Sequence, residues 1–526
     1  MRPLWWRWLF AASFLEVTSA RRPSKATAGP IELGEPRLQC PDYSWWAYRR
    51  NPPFSTGKYE LAHQRLQPAC RTFNLSEVEE TIAGMKRNIQ DPDLFRLFEN
   101  SFPNTLDTAI AWHGKAEKIH YFGGHDEEEL TFITTGDINA MWLRDSANQL
   151  HSYKSLLKPN KSSSSLASLF RDYVTPRPNQ TSVFECKYEL DSLAAFLQLS
   201  HDYFVGTSDS AFFGRHRWVQ AIDTIMNVTT ELLAGTYNEN GTVAISPYQF
   251  QRTTLTSTET LGSAGVGSPV KSGTGLIRSA FRPSDDACTY QLFVPANMMF
   301  SRYLGLCVRI MEKLDEKAKA KKIAEFAESI RVGIERYGRV DHPVYGRIYA
   351  YEVDGFGSHN VMDDANIPSL LSAPMFGYLG RNDPIYLNTR RFVLSKHNPY
   401  FMYGPVMNAT GGPHIGPGMA WPMGLIAQIM TTDDDAEIVS ALKQLLSSTD
   451  GLGLIHESVN THSSSIWTRQ WYIPLRACLA CPASGKTCPA NHLLVTPRFS
   501  WANGLFGQMM LDLRERKPHL LARSYQ

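Results

Sequence analysis

Seven short strings in this chain combine carboxylates, aromatic rings and glycine. They are Gly136 to Ser146 (GDINAMWLRDS), Lys187 to Ser192 (KYELDS), Phe281 to Ala287 (FRPSDDA) and Asp354 to Asn366 (DGFGSHNVMDDAN). Further on come Gly411 to Gly416 (GGPHIG), Ile455 to Ser458 (IHES) and Phe499 to Gly507 (FSWANGLFG). Such a mixture suits a hydroxyl-rich substrate. Carboxylates accept bonds from neighbouring hydroxyls, Arg and Asn donate, and Trp offers a face to the C–H side of a sugar ring. Each string alone also has a plain structural reading. Asp285-Asp286 after Ser284 is a good helix cap. Asp363-Asp364 lacks the spacing of an EF-hand calcium loop. An isolated His414 or His456 is an ordinary core residue. The number of such strings in one chain favours chemistry.

Together the strings TGDI-x-AMWLRDS, KYE-x-DS, FRPSDDAC, DGFG-x-H-x-x-MDDANIPSLL, GGPHIG, HES and FSWAN-x-LFG resemble glycoside hydrolase family 125 over roughly residues 70 to 511. The resemblance implies an exo-acting α-1,6-mannosidase that needs no metal or cofactor. It also implies an (α/α)6 barrel and inversion at the anomeric carbon. An inverting glycosidase uses one carboxylic acid to protonate the leaving oxygen and one carboxylate to activate water, roughly 6.5–9.5 Å apart. By the same resemblance the acid is Asp285 or Asp286, with Asp285 preferred by analogy with related (α/α)6 hydrolases. The base is Glu457. The acid must keep its proton near neutrality, so burial or a like charge such as Asp286 should raise its pKa. The mannose is expected among Trp142, Arg144, Asp145, Asp191, Asp286, His359, Asp364, Asn366, His414 and Trp501, with Trp421 a further candidate wall. Two other readings remain: a non-catalytic mannoside-binding protein on the same scaffold, and an (α/α)6 hydrolase of another sugar.

Helices must position these strings. Ser76 with Glu79 forms a capping-box pattern ahead of Val78, Ile82, Met85 and Ile89. Leu190 to Phe204, Trp218 to Leu232, Ile323 to Ile334 and Ile438 to Leu445 carry apolar residues at helical spacing. Thr432 and Asp433 to Asp435 suit a helix start. Strands are expected only at Leu130–Thr134 and Val344–Val353, and residues 256 to 280 read as a long loop. The expectation is a mainly α protein: a single (α/α)6 domain over 39–520 with long loops and a few short strands.

One segment departs from the family pattern. Residues 473–498 separate Arg469-Gln470-Trp471-Tyr472 from Phe499-Ser500-Trp501. They read as an insert foreign to the family, such as a translated intron. A disulfide-bonded loop, or a zinc site on Cys478, Cys481, Cys488 and His492, ranks behind. Asn139 and Gln508 stand where the family often has Pro and an acidic residue.

The N-terminus reads as a signal peptide over 1–20, with Arg2 and Arg7 before a short apolar run and small residues at Thr18-Ser19-Ala20. A Pro- and Arg-rich stretch over 21–38 reads as a disordered stem. Six sequons, at Asn74, Asn160, Asn179, Asn227, Asn240 and Asn408, fit a glycoprotein that is secreted or held in the secretory lumen. With 53 basic and 51 acidic residues the net charge is +2, which argues against nucleic acid or a polybasic membrane contact as partner. No membrane attachment is expected after signal cleavage. The expected partner is a mannose-containing glycan, and no oligomeric contact is read from the sequence. Eight Cys in 526 residues are too few for a disulfide scaffold.

Overall fold

The apolar stripes fold as helices and bury the faces they mark. In the computed structural model, which describes residues 40–115, 129–136, 140–174, 186–215, 217–468 and 500–526, the chain divides into Met1–Cys40 and Pro41–Gln526. The signal peptide, the stem, the 473–498 insert with its cysteines, Asn139 and Asn179 lie outside the described residues. Trp218–Glu231 buries Trp218, Ile222, Ile225 and Thr229, and Lys317–Tyr337 buries Ile323, Ile330 and Ile334. Asp435–Ser447 starts where the acidic run predicts. Asp434 caps it, its Oδ1 accepting the N–H groups of Ala436 (2.8 Å) and Glu437 (3.3 Å).

The capping box at Ser76 does not form. The helix Ser76–Asn88 has Leu75 at its cap position, and Ser76 Oγ bonds to Glu77. Glu79 instead takes Arg65 Nη2 at 2.7 Å and Arg71 Nη1 at 2.9 Å. Charge-assisted bonds to two guanidinium groups win over a neutral backbone N–H.

Six helices settle the core. Leu143–His151 packs on Leu190–Thr207, which packs on Val294–Lys313. Ser500–Arg516 packs on Leu143–His151, on Pro92–Ser101 and on Pro422–Met430. The segments between them supply partners on the outside: Leu166–Val174 against Leu190–Thr207, Lys317–Tyr337 against Val294–Lys313, and Asp435–Ser447 against Pro422–Met430. Residues 363–373 are buried without regular helix. One apolar cluster runs through all of these elements.

Strands are short and local. The strand expected at Leu130–Thr134 is Glu129–Ile133, antiparallel to Ile110–Lys115. The run Val344–Val353 is not one strand. Gly346–Tyr349 pairs with Arg339–His342, whereas Glu352–Val353 pairs with both Leu292–Phe293 and His359–Asn360. Glu352, after the change of partner, is paired with buried Arg282. A fourth sheet orders Met419–Ala420, Ser458–Asn460 and Ser463–Thr468. Residues 256–280 hold only two short 3₁₀ turns, and their last part is buried at Leu276 and Ile277. Cys40 and Cys70 are disulfide-bonded, whereas Cys186, Cys288 and Cys307 are free thiols. Among the described residues no helix is long and apolar enough to cross a membrane.

Candidate active site

Most of the candidate residues stand at or just before the start of a core helix. Arg144 and Asp145 open Leu143–His151, and Asp191 opens Leu190–Thr207. Asp285 and Asp286 precede Leu292 and the helix Val294–Lys313, His414 and Trp421 precede Pro422–Met430, and Trp501 opens Ser500–Arg516. Helix N-termini carry unpaired N–H groups and partial positive charge, which favours carboxylates there.

Arg144 is the hub. Its Nη1 pairs with Glu189 Oε2 and lies 3.2 Å from Asp191 Oδ2. Its Nη2 lies 3.0 Å from Asp145 Oδ2 and 3.6 Å from Asp285 Oδ1. One cation therefore meets four buried carboxyl groups, so their proton affinities must rise on average. Burial, only partly offset by Arg144, pushes Asp145 and Asp191 each up to about 6. Burial together with Asp285 and Asp191 pushes Glu189 well above the usual carboxyl range.

Asp285 behaves differently. Burial works to raise it, but Arg144, a hydrogen bond from Glu189, Lys187 and His414 bring it below its ordinary value. This corrects the expectation that Asp286 would hold a proton on its neighbour. Asp286 is turned elsewhere. Its Oδ2 accepts Ser284 Oγ at 2.8 Å and its Oδ1 lies 3.6 Å from His414 Nδ1. The carboxyl facing Asp285 is Glu189.

The loop that carries Asp285 is tightly built. Phe281 and Ala287 form an antiparallel bridge, Arg282 N–H donates to the Asp286 carbonyl (2.8 Å), and Asp285 N–H donates to the Arg282 carbonyl (2.9 Å). Asp285 sits in the left-handed region at φ 65°, where Asp and Asn are the commonest residues other than glycine. Arg282 Nε donates to Glu352 Oε1 at 2.6 Å, and Glu352 Oε2 accepts the N–H groups of Thr289 and Tyr290. That buried pair fixes the loop against the sheet behind it.

Glu457 is buried just before the strand Ser458–Asn460 of the fourth sheet, and its N–H donates to the Thr468 carbonyl at 2.9 Å. Next to it His456 stacks on Trp467, with centroids 4.2 Å apart. His414 links the two sides. Burial would lower its pKa, but Asp286, Glu457 and Asp285 raise it to about 9. The imidazolium therefore lies in the field of both the candidate acid and the candidate base.

The other predicted residues divide. Asp364 is buried near Asp286. Its Oδ1 accepts both the backbone and side-chain N–H of Asn366 at 2.9 Å, and burial raises its pKa. Gly412 lies over it, because a Cβ there would stand 2.8 Å from Asp364 Oδ2. Trp501 has its ring 5.9 Å from Arg144 Cζ, and Trp421 meets His414 edge-on at 6.3 Å. Both are buried, whereas Trp142 is partly exposed. His359 is exposed on its strand, with its ring Nδ1 3.3 Å from the Gly357 carbonyl.

Three positioning groups were not singled out from sequence. Glu189 sat inside the KYELDS string, but its importance depends on the facing Asp285 loop. The Arg282–Glu352 pair joins segments that share no motif. Asn503, inside FSWAN, reaches the segment before Glu457, and only the fold shows this.

The sequence pattern of the metal-independent alpha-mannosidases, GH125, matches residues 91–172 and 167–481. A curated relative, the meiotically up-regulated gene 157 protein of Schizosaccharomyces pombe, is 42% identical over 94% of this chain and 96% of its own. Among solved structures, a Streptococcus pneumoniae protein from a study of metal-independent alpha mannosidases is similar. It was captured in a non-productive complex with alpha-1,6-mannobiose. It shares 29% identity at a TM-score of 0.67, over 84% of this chain and 99% of its own. This chain belongs to the GH125 family of metal-independent alpha-mannosidases.

Proposed function

We propose that this protein is an exo-acting, inverting α-mannosidase that removes terminal α-1,6-linked mannose from glycans, in an (α/α)6 barrel whose core-helix N-termini surround the sugar. The observation that carries the reading is His414. Asp285 and Glu457 both help Asp286 to hold the His414 proton, which supports a shared site for these two carboxyl groups although they lie far apart in sequence. The neighbour's mannobiose supports the choice of linkage.

In this reading Asp285 delivers a proton to the leaving oxygen while Glu457 takes one from water on the opposite face of the sugar. Arg144 and His414 supply the positive charge that fixes these carboxylates. Asp145, Asp191, Asp364 and Asn366 bind the mannose hydroxyls. Hydrolysis of α-1,6-mannobiose followed by ¹H NMR in the presence of chelator tests this. β-Mannose should appear first. Initial α-mannose, or cleavage of α-1,2- and α-1,3-mannobiose in preference, would reject the assignment.

The secretory route is part of the same proposal. The five sequon asparagines within the described residues, Asn74, Asn160, Asn227, Asn240 and Asn408, are all exposed. Asn240 Oδ1 accepts the Thr242 N–H and hydroxyl, and Asn160 Oδ1 accepts the Ser162 N–H. Peptide-N-glycosidase treatment of protein made in a eukaryotic host should increase its gel mobility. An unchanged band would remove this part.

A further inference from the structure

Glu189 is the one group in the Arg144 cluster placed to exchange a proton with Asp285. It precedes Leu190–Thr207, is buried, and is tied on one oxygen: Oε2 meets Arg144 Nη1 and accepts Ser192 Oγ at 3.1 Å. Its Oε1 and Asp285 Oδ1 are both buried, and neither takes a hydrogen bond from an N–H or hydroxyl group among the described residues. The loop 281–287 brings Asp285 against it, and the Phe281 N–H donates to the carbonyl of Tyr188, the residue before Glu189. The other charged groups facing the pair are Arg144 and Asp145 from Leu143–His151, Asp191 from Glu189's own helix, and Lys187 and His414 on the Asp285 side. Two carboxyl groups in one dry pocket cannot both ionise at low cost, so they hold a proton between them.

We propose that Glu189 is the proton store for the acid: a positioning residue that shares one proton with Asp285 and recharges it in each turnover. The inference rests on the reading of Asp285 as the acid. At rest the Glu189 O–H donates to the Asp285 carboxylate. This accords with Glu189 being pushed up and Asp285 down. When substrate fills the pocket, the Glu189 O–H bond breaks and an Asp285 O–H bond forms. The Asp285 O–H bond then breaks as the proton passes to the leaving oxygen and the C1–O bond opens. Both carboxylates are left anionic beside Arg144, and one proton from solvent returns to the pair. The proton that Glu457 takes from water leaves to solvent, so the cycle balances.

The test uses the full chain with two substrates: α-1,6-mannobiose, whose leaving group needs a proton, and 2,4-dinitrophenyl α-mannoside, whose leaving group does not. Glu189→Gln should lower kcat on mannobiose by about 10²-fold or more, and on the aryl mannoside by less than about tenfold. Its alkaline limb of kcat/KM should move down by about one pH unit or more, because Asp285 then titrates alone beside Arg144. Glu189→Asp, which keeps both charge and proton, should restore most of the mannobiose activity and guards against loss of folding in the Gln variant. Equal losses on both substrates with an unmoved alkaline limb in Glu189→Gln, or failure of Glu189→Asp to restore activity, would overturn the proposal. Asp285→Asn runs alongside. If it shows no leaving-group selectivity, the acid assignment itself fails. If it does and Glu189→Gln does not, only the proton store fails.

Discussion

Asn503 grips Ile455 at both ends of its peptide unit. Its Oδ1 accepts the Ile455 N–H at 2.9 Å, and its Nδ2 donates to the Ile455 carbonyl at 3.1 Å. Ser101 Oγ completes the arrangement by donating to the same Oδ1 at 2.9 Å. Glu457 lies two residues on, so its place depends on this grip. Asn503→Leu leaves the Ile455 N–H and carbonyl unpaired in a dry site. It should cost about 1–3 kcal/mol of stability. It should also lower kcat more than it changes KM, as read from denaturant melts and steady-state kinetics with mannobiose. Unchanged kcat would show that Glu457 is held by other means.

Replacing Arg144 with Met removes the guanidinium that pairs with Asp145, Glu189 and Asp191 and lies 3.6 Å from Asp285. The loss should be on the order of 3–5 kcal/mol at pH 7. The deficit should shrink toward pH 4. Without Arg144 the folded-state pKa values of Asp145, Glu189 and Asp191 rise further above their unfolded values, and Asp285 loses the main group that holds it down. A raised carboxyl favours the fold where it is protonated and loses that advantage as pH climbs through its folded pKa. Chemical denaturation at pH 4, 5.5 and 7 reads this directly, and a deficit independent of pH would contradict it.

His414 predicts the opposite end of the pH scale. Its folded pKa of about 9 exceeds the unfolded 6.5. Its contribution is therefore complete below about pH 6.5 and disappears as pH rises toward 9 and beyond. Loss of this contribution should destabilise the protein by roughly 3 kcal/mol between pH 6 and pH 9.5. His414→Gln should flatten that part of the stability curve. A wild-type curve already flat over the interval would show that His414 is neutral.

Gly412→Ala tests whether Asp364 binds the sugar, as proposed. The new Cβ would stand 2.8 Å from Asp364 Oδ2 and 3.0 Å from its Cγ. Asp364 cannot swing away freely, because Asn366 holds its Oδ1 with two bonds. KM for mannobiose should rise at least about tenfold, the effect of losing roughly 1.4 kcal/mol of binding. Unaltered KM would place the sugar away from Asp364.

Glu457→Gln should nearly abolish hydrolysis of 2,4-dinitrophenyl α-mannoside. Added azide, needing no base, should restore turnover and form β-mannosyl azide. An α-azide product would point to a retained glycosyl intermediate and a different role for Glu457.

The carboxylate motifs were legible in the sequence because each is a local string, and two of them, around Arg144 and around Asp191, themselves begin a core helix. The helices were legible for the same reason: Ile222, Ile225 and Thr229 reach one core at helical spacing. Partnerships between distant segments were not. Glu79 looked like a capping residue until Arg65 and Arg71 were found beside it. Asp286 looked like the neighbour that would tune Asp285, but adjacent side chains on a left-handed turn diverge, and Asp286 goes to His414. His359 belonged to the right string, yet the hairpin after Glu352 carries it to the surface. Glu189 was visible as a residue and invisible as a partner of Asp285.

The bond between Ser101 and Asn503 spans 402 positions, and Ser500 Oγ reaches back to Asn104 Oδ1 in the same way. During synthesis the helix Pro92–Ser101 leaves the ribosome long before its partner exists. The segment bearing Glu457 is likewise made before the helix that anchors it. The nascent chain therefore carries Asp285 and then Glu457 before the helix that anchors the Glu457 segment has been made. The bonds of Asn503 to Ile455 and of Ser500 to Asn104 can form only after residues 500–503 have been synthesised.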